Sequence, residues 1–81
     1  MDLSARERAI LDLERGWWAA GQSKERQIRA RFGLSATRYY QLLNGLLDRP
    51  AALAYDPLTV KRARRQRERR RRAKVEGRRA R

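Results

Sequence analysis

Apolar residues in the first 47 positions recur at intervals of three and four, the spacing that places them on one face of an α-helix. In the first such segment the apolar face comprises Ile10, Leu13 and Trp17. Ser4 is followed three residues later by Glu7, a capping-box pattern in which each side chain bonds the other residue's backbone amide. We therefore expect a first helix that begins near Ala5 and ends before Gly21.

The next two helices are predicted on either side of a short turn. Ser23 and Ser35 are good N-cap residues, and Gly33 tolerates the positive φ that the turn requires. Apolar anchors that hold two helices at a steep angle are present at Ile28, Phe32, Leu34, Tyr39 and Leu42. The segment resembles the helix-turn-helix of bacterial regulators and predicts one at about residues 24–47. The alternative is a plain structural corner.

Arg29 departs from the usual form of that motif. It stands four residues before the turn glycine, where a small residue normally allows the two helices to touch, and the alanine comes one position later. We therefore expect either an altered crossing angle or an arginine that extends out from between the helices.

The last third of the chain predicts a short turn followed by a basic helix. Pro50 is expected at the first position of the turn, and Asp56 with Pro57 is a start signal for the final helix. Its first two turns are expected to dock on the core through Leu58, Val60 and Ala63. Residues 64–72 have no apolar side chain, so in isolation we expect this stretch to be frayed or disordered. The predicted fold is all-α, with a three-helix helix-turn-helix domain over residues 1–60 and an arginine-rich arm over residues 61–81.

The distribution of charge indicates a polyanionic partner. The chain has 22 basic and nine acidic residues, a net charge of +13, and 19 of the basic residues are arginine. Residues 61–81 contain 13 basic and two acidic side chains, so a nearly neutral domain carries a strongly cationic arm. Arginine favours two-pronged hydrogen bonds to phosphate and stacking on flat rings. The alternative is a tail that merely improves solubility.

Two sets of residues are candidates for nucleic-acid contact. The candidates for base contact, on the outer side of the third helix, are Thr37, Arg38, Gln41 and Asn44. The candidates for phosphate contact are Ser35, Tyr40, Lys61, Arg62, Arg64, Arg65, Arg67, Arg69, Arg70, Arg71, Arg72 and Lys74. In the major groove, arginine can pair with guanine, whereas glutamine or asparagine can pair with adenine. The alternatives are a solvated helix face for the first set and core packing for Tyr40.

Several classes of function are not expected from this composition. There is no cysteine and no histidine, so we expect no zinc site, no disulfide and no histidine-based catalysis. We also find no phosphate-binding glycine loop and no activated nucleophile, and therefore expect neither an enzyme nor a cofactor. The longest apolar run is four residues, Trp17–Ala20, so a membrane span and an export signal are not expected and the protein is predicted to be cytoplasmic.

The run from Arg31 to Asn44, with residues 54–58 and the arginine tract after them, resembles small actinobacterial proteins catalogued as a domain of unknown function. The resemblance implies an actinobacterial origin and no established activity. From the residues we expect a DNA-binding protein, either a small transcriptional regulator or a nucleoid-associated factor. The alternatives are an RNA- or ribosome-associated protein and an adaptor that contacts RNA polymerase through Leu3 and Trp18. The oligomeric state stays open, although no dimerisation helix is evident.

Overall fold

The computed structural model describes the backbone of residues 2–79 and the side chains of residues 2–77. The elements are α1 (Ala5–Gly16), a 3₁₀ turn (Trp17–Ala20), α2 (Lys24–Phe32), α3 (Ala36–Leu47), α4 (Pro50–Tyr55) and α5 (Pro57–Arg79). Within these described residues there is no strand, which confirms the all-α class. The last two residues of the expected arm, 80 and 81, lie outside them.

The helix boundaries follow the caps that the sequence predicts. The Ser4 hydroxyl accepts a hydrogen bond from the Glu7 amide at 3.1 Å, and the Glu7 carboxylate accepts one from the Ser4 amide at 2.8 Å. Ser23 and Ser35 cap α2 and α3 by accepting from the amide three residues further on. Gly33 ends α2 with φ of +65°, in the left-handed region that favours glycine. The expected sequence of helix, glycine turn and helix over residues 24–47 is therefore present.

The core lies where α1, α3 and α5 meet, with α4 packed across one end. Its buried apolar residues are Leu3, Ile10, Leu11, Leu13, Ile28, Tyr39, Leu43, Leu46, Leu47, Ala52, Val60 and Ala63. Trp17, Phe32 and Leu34 pack against this cluster while remaining partly exposed. Arg29 is exposed, so its side chain is not buried between α2 and α3.

Glu14 is the one buried acidic residue among the described side chains of α1. It follows Ile10 by four residues and so lies on the same inward face of α1, with 4% of its surface exposed. Its carboxylate accepts a hydrogen bond from the Tyr39 hydroxyl and lies 2.7 Å from the Lys24 ammonium. The 3₁₀ turn brings α2 back over the end of α1, and this places the lysine beside the glutamate. The two partners compensate a charge that would be costly to bury alone.

The predicted docking of α5 through Leu58 is wrong. Leu58 is 79% exposed, whereas Thr59 is 3% exposed and Val60 is fully buried. Because an α-helix turns by about 100° per residue, Leu58 lies almost opposite Val60 on the helix surface. Asp56 does start the helix as expected, since its side chain accepts from the Thr59 amide at 3.2 Å.

The α5 helix is continuous from Pro57 to Arg79. It is 23 residues long, about 34 Å at a rise of ~1.5 Å per residue. Beyond Ala63 none of its described residues is buried, so apolar contact orders only its first two turns. No helix within residues 2–79 is both long and apolar enough to cross a membrane.

Candidate nucleic-acid interface

The four residues expected to contact bases form one exposed surface on α3. Thr37, Arg38, Gln41 and Asn44 are all exposed, and their spacing places them along the outer side of the helix. The Arg38 guanidinium donates to the Gln41 amide oxygen at 3.2 Å. Ser35 stands at the N-terminus of the same helix, where its hydroxyl oxygen accepts from the Arg38 amide at 3.2 Å. We call the surface formed by residues 37, 38, 41 and 44 the α3 face.

The distal part of α5 runs beside α3 and forms a cationic groove with it. The groove has a volume of about 340 Å³, and its lining residues are Tyr40, Asn44, Arg67, Arg70, Arg71 and Lys74. Asn44 belongs both to this groove and to the α3 face. The structure thus brings predicted base contacts and predicted phosphate contacts together at one place. We call it the α3–α5 groove.

Tyr40 lies where the core meets this groove. Its ring packs edge-on against Tyr39, with 5.3 Å between the ring centres. The Arg70 guanidinium lies 4.8 Å from the centre of the Tyr40 ring, and the Lys24 ammonium lies 4.9 Å from it. A ring flanked by two cations gains favourable cation–π energy. Tyr40 therefore packs against the core and also lines the cationic groove, and its contact with phosphate stays a prediction.

Arg67 is held at the edge of the groove by an acidic residue. Its guanidinium lies 3.1 Å from an Asp48 carboxylate oxygen and donates to the Asn44 carbonyl oxygen at 3.3 Å. The hydrogen bond from Arg67, together with the charges of Arg64 and Arg71, lowers the pKa of the Asp48 carboxyl below its ordinary value. Asp48 is therefore ionised at neutral pH. Its negative charge stands beside a groove whose other charges are positive.

Arg62 and Arg64, which are also predicted phosphate contacts, form hydrogen bonds within the protein. Arg62 donates to the Glu14 carbonyl oxygen at 2.5 Å, and its guanidinium lies 4.7 Å from the centre of the Trp18 ring. Arg64 donates twice to the Leu47 carbonyl oxygen, at 2.8 and 2.6 Å. Both carbonyls belong to the last turn of a helix, where backbone acceptors have no partner within the helix and the helix dipole is negative. These two arginines hold α5 to the ends of α1 and α3, which leaves them fewer donors for phosphate.

The remaining predicted phosphate contacts are exposed on the side of α5 that faces away from α3. They are Lys61, Arg65, Arg69 and Arg72. Arg72 lies 4.0 Å from Glu68, one turn away on the same helix, and both side chains are largely exposed. An ion pair of this kind contributes little in water. The four cations are therefore available to a partner.

Sequence reasoning did not place Asp48 or Lys24 at the interface. Asp48 directly follows α3, and nothing in the local pattern indicates that an arginine 19 residues later reaches it. The Lys24 ammonium pairs with the buried Glu14 and lies beside the Tyr40 ring at the same time. The sequence contains one indication of this contact. Glu14 falls on the inward face of α1, and a buried carboxylate needs a cation beside it.

Comparison with known proteins gives a family and no activity. A family model described as "Protein of unknown function (DUF3263)" matches residues 2–75, from before α1 to the distal part of α5. No curated protein and no solved structure matches the chain.

Proposed function

The chain belongs to the DUF3263 family of proteins of unknown function, and from its own residues we propose that it binds DNA. The α3 face enters the major groove, and the cations of the α3–α5 groove contact the adjacent phosphates. In this role the protein is a small transcriptional regulator or a nucleoid-associated factor of the cytoplasm, and it acts by binding rather than by catalysis.

The observation that carries the proposal is the position of Asn44. An exposed helix face with an arginine, a glutamine and an asparagine suits hydrogen bonding to base edges, and the major groove admits one α-helix. At Asn44 this face continues into a groove lined by four cations. In DNA, the base edges of a groove lie beside the phosphates that border it. This surface likewise places side chains suited to base edges beside cations suited to phosphates.

The two parts of the surface have different tasks. Thr37, Arg38, Gln41 and Asn44 are the residues proposed to contact bases. Phosphates are proposed to bind Arg70, Arg71 and Lys74, with the Ser35 and Tyr40 hydroxyls as further donors. Neutralising phosphates releases counterions, so this second part supplies most of the affinity and its dependence on salt.

The test compares two charge-matched pairs of substitutions in the full chain. The groove pair is Arg71→Gln with Lys74→Gln, two exposed residues of the α3–α5 groove. The control pair is Arg6→Gln with Arg31→Gln, two exposed residues that line a separate hollow between α1 and α2. Affinity is measured by fluorescence anisotropy on duplex DNA and on structured RNA, from low salt to ~150 mM, where screening is near physiological.

We expect the groove pair to weaken duplex binding about tenfold and to lower the salt slope by about two, because two phosphate contacts are lost. The control pair should change neither quantity beyond the small effect of net charge. Equal losses of duplex affinity for the two pairs would mean that the protein attracts DNA through its overall charge and not through the α3–α5 groove. Tighter binding of structured RNA than of duplex DNA would replace DNA with RNA as the partner.

A further inference from the structure

The cations of α5 form two stripes on nearly opposite sides of the helix. The groove stripe comprises Arg67, Arg70, Arg71 and Lys74, which line the α3–α5 groove. The outer stripe comprises Lys61, Arg65, Arg69 and Arg72, all of them exposed. Because the helix turns by about 100° per residue, each set recurs at intervals of three and four along its own side.

The outer stripe is also the less neutralised of the two. In the groove stripe, Arg67 is paired with Asp48 and Arg70 packs on Tyr40. Among the side chains of residues 2–77, none forms a salt bridge with Lys61, Arg65 or Arg69. Like charges one turn apart on a helix repel each other. An external polyanion along this side would relieve that repulsion.

The orientation of α5 is fixed where the outer stripe begins. Arg64 binds the end of α3 and Arg62 binds the end of α1, so the first half of the helix cannot rotate about its own axis without breaking these bonds. Lys61 and Arg65 flank these two anchors in sequence, and the helical repeat places both on the side of α5 opposite the buried Val60 and Ala63. The outer stripe is thus held away from α3 by the core.

One duplex cannot occupy both stripes if α3 lies in its major groove. An α-helix with its side chains is about 10–12 Å across, and the major groove is about 12 Å wide, so the groove holds one helix. Because α5 runs beside α3, it must then lie outside the groove, against the phosphates that border it. Only the groove stripe faces those phosphates, and the outer stripe faces away from that duplex.

We propose that the outer stripe binds the phosphate backbone of a second nucleic-acid segment, so that one molecule bridges two duplexes. This inference rests on the proposed function, since it takes the α3 face and the α3–α5 groove as the first binding site. The outer stripe consists of lysine and arginine, with Glu68 at its margin and Glu76 beyond its last cation. It lacks an asparagine, glutamine or aromatic side chain for base recognition, so the second contact is independent of sequence.

A bead assay on the full chain tests the bridge. One duplex is fixed to beads, a second labelled duplex is free, and the labelled DNA that the protein retains is measured at ~150 mM salt. The outer pair, Arg65→Gln with Arg69→Gln, is compared with the groove pair defined above, which carries the same net charge. Glutamine keeps a helix propensity close to that of arginine, so α5 should persist in both. Protein concentrations are set to give equal occupancy of the fixed duplex, as measured in parallel by anisotropy.

We expect the outer pair to bind a single duplex within about threefold of the wild type and to retain at least fivefold less labelled DNA at equal occupancy. The groove pair should need more protein to occupy the fixed duplex, yet it should bridge like the wild type once the duplex is occupied. Unchanged bridging by the outer pair would overturn the inference and assign bridging to self-association. Equal loss of single-duplex affinity in both pairs would overturn it too, because one duplex would then contact both stripes.

These results separate the inference from the proposed function. A wild-type protein that binds no duplex contradicts the proposed function itself. A wild-type protein that binds duplex DNA with the expected salt slope but retains no labelled DNA contradicts only the bridge.

Discussion

The core, which includes the first two turns of α5, and the part of α5 beyond Ala63 are stabilised by different interactions. The core buries apolar side chains such as Leu11, Leu13 and Tyr39, none of which is more than 1% exposed. Beyond Ala63, α5 is attached through the guanidiniums of Arg64 and Arg67, which bond to the end of α3. Arginine therefore performs in α5 the anchoring that apolar residues perform in the core. The same residue type attaches this helix and is proposed to bind a polyanion, and the position of each arginine decides which of the two it does.

The division predicts that a core truncation has the largest effect on stability. Leu13 is 1% exposed, and Leu13→Ala removes buried apolar surface and leaves a cavity. We expect a loss of about 2–5 kcal/mol in the free energy of unfolding, which is much of the stability of a chain this small. Urea unfolding followed by circular dichroism measures it. A loss below about 1 kcal/mol would mean that the core is loosely packed and that the comparison with α5 is wrong.

Removing an anchor of α5 should have a smaller but distinct effect. Arg64→Met keeps a long apolar stem and a good helix former but deletes two hydrogen bonds to the Leu47 carbonyl oxygen. Leaving that part-buried acceptor without its charged donor should cost about 1–3 kcal/mol in urea unfolding. The neighbouring Arg65→Met is the control, because Arg65 is exposed and should change stability by no more than about 0.5 kcal/mol. Equal effects at both positions would show that Arg64 does not anchor the helix.

The local features of the fold were predictable because each depends on a few adjacent residues. Ser4, Ser23 and Ser35 begin helices by bonding an amide three positions away, and Gly33 ends one through its own backbone conformation. Rules of this kind need no knowledge of the tertiary structure. Together with the three- and four-residue spacing of apolar positions, these rules predicted the all-α class and the exposed α3 face.

The features that sequence reasoning missed all depend on contacts between distant residues. Leu58 was expected in the core and Thr59 was not, because the rotation of α5 is set by its docking on α1 and α3. The partners of Arg62 and Arg64 are backbone carbonyls 48 and 17 residues away, and a carbonyl carries no sequence signature. An arginine tract therefore predicts a polyanion partner, but it does not reveal which of its members already have partners within the protein.

The smallest effect is expected from substituting Asp48. This substitution also distinguishes most clearly between an arginine that attaches α5 and an arginine that is proposed to bind phosphate. Asp48 pairs with Arg67 at the edge of the α3–α5 groove, and it adds a negative charge where phosphate is proposed to bind. Asp48→Asn should therefore tighten duplex binding by about two- to threefold, the size expected for one exposed charge pair. Because the hydrogen bond from Arg67 lowers the pKa of Asp48 below its ordinary value of 3.8, the carboxylate stays ionised from pH 5 upward. The gain in duplex affinity should thus be constant from pH 5 to pH 8 in anisotropy titrations at fixed salt.

Glu25→Gln, at an exposed carboxylate on α2, is the charge-matched control and should give a smaller gain in duplex affinity. Weaker binding by Asp48→Asn would mean that the aspartate positions Arg67 for phosphate rather than competing with it.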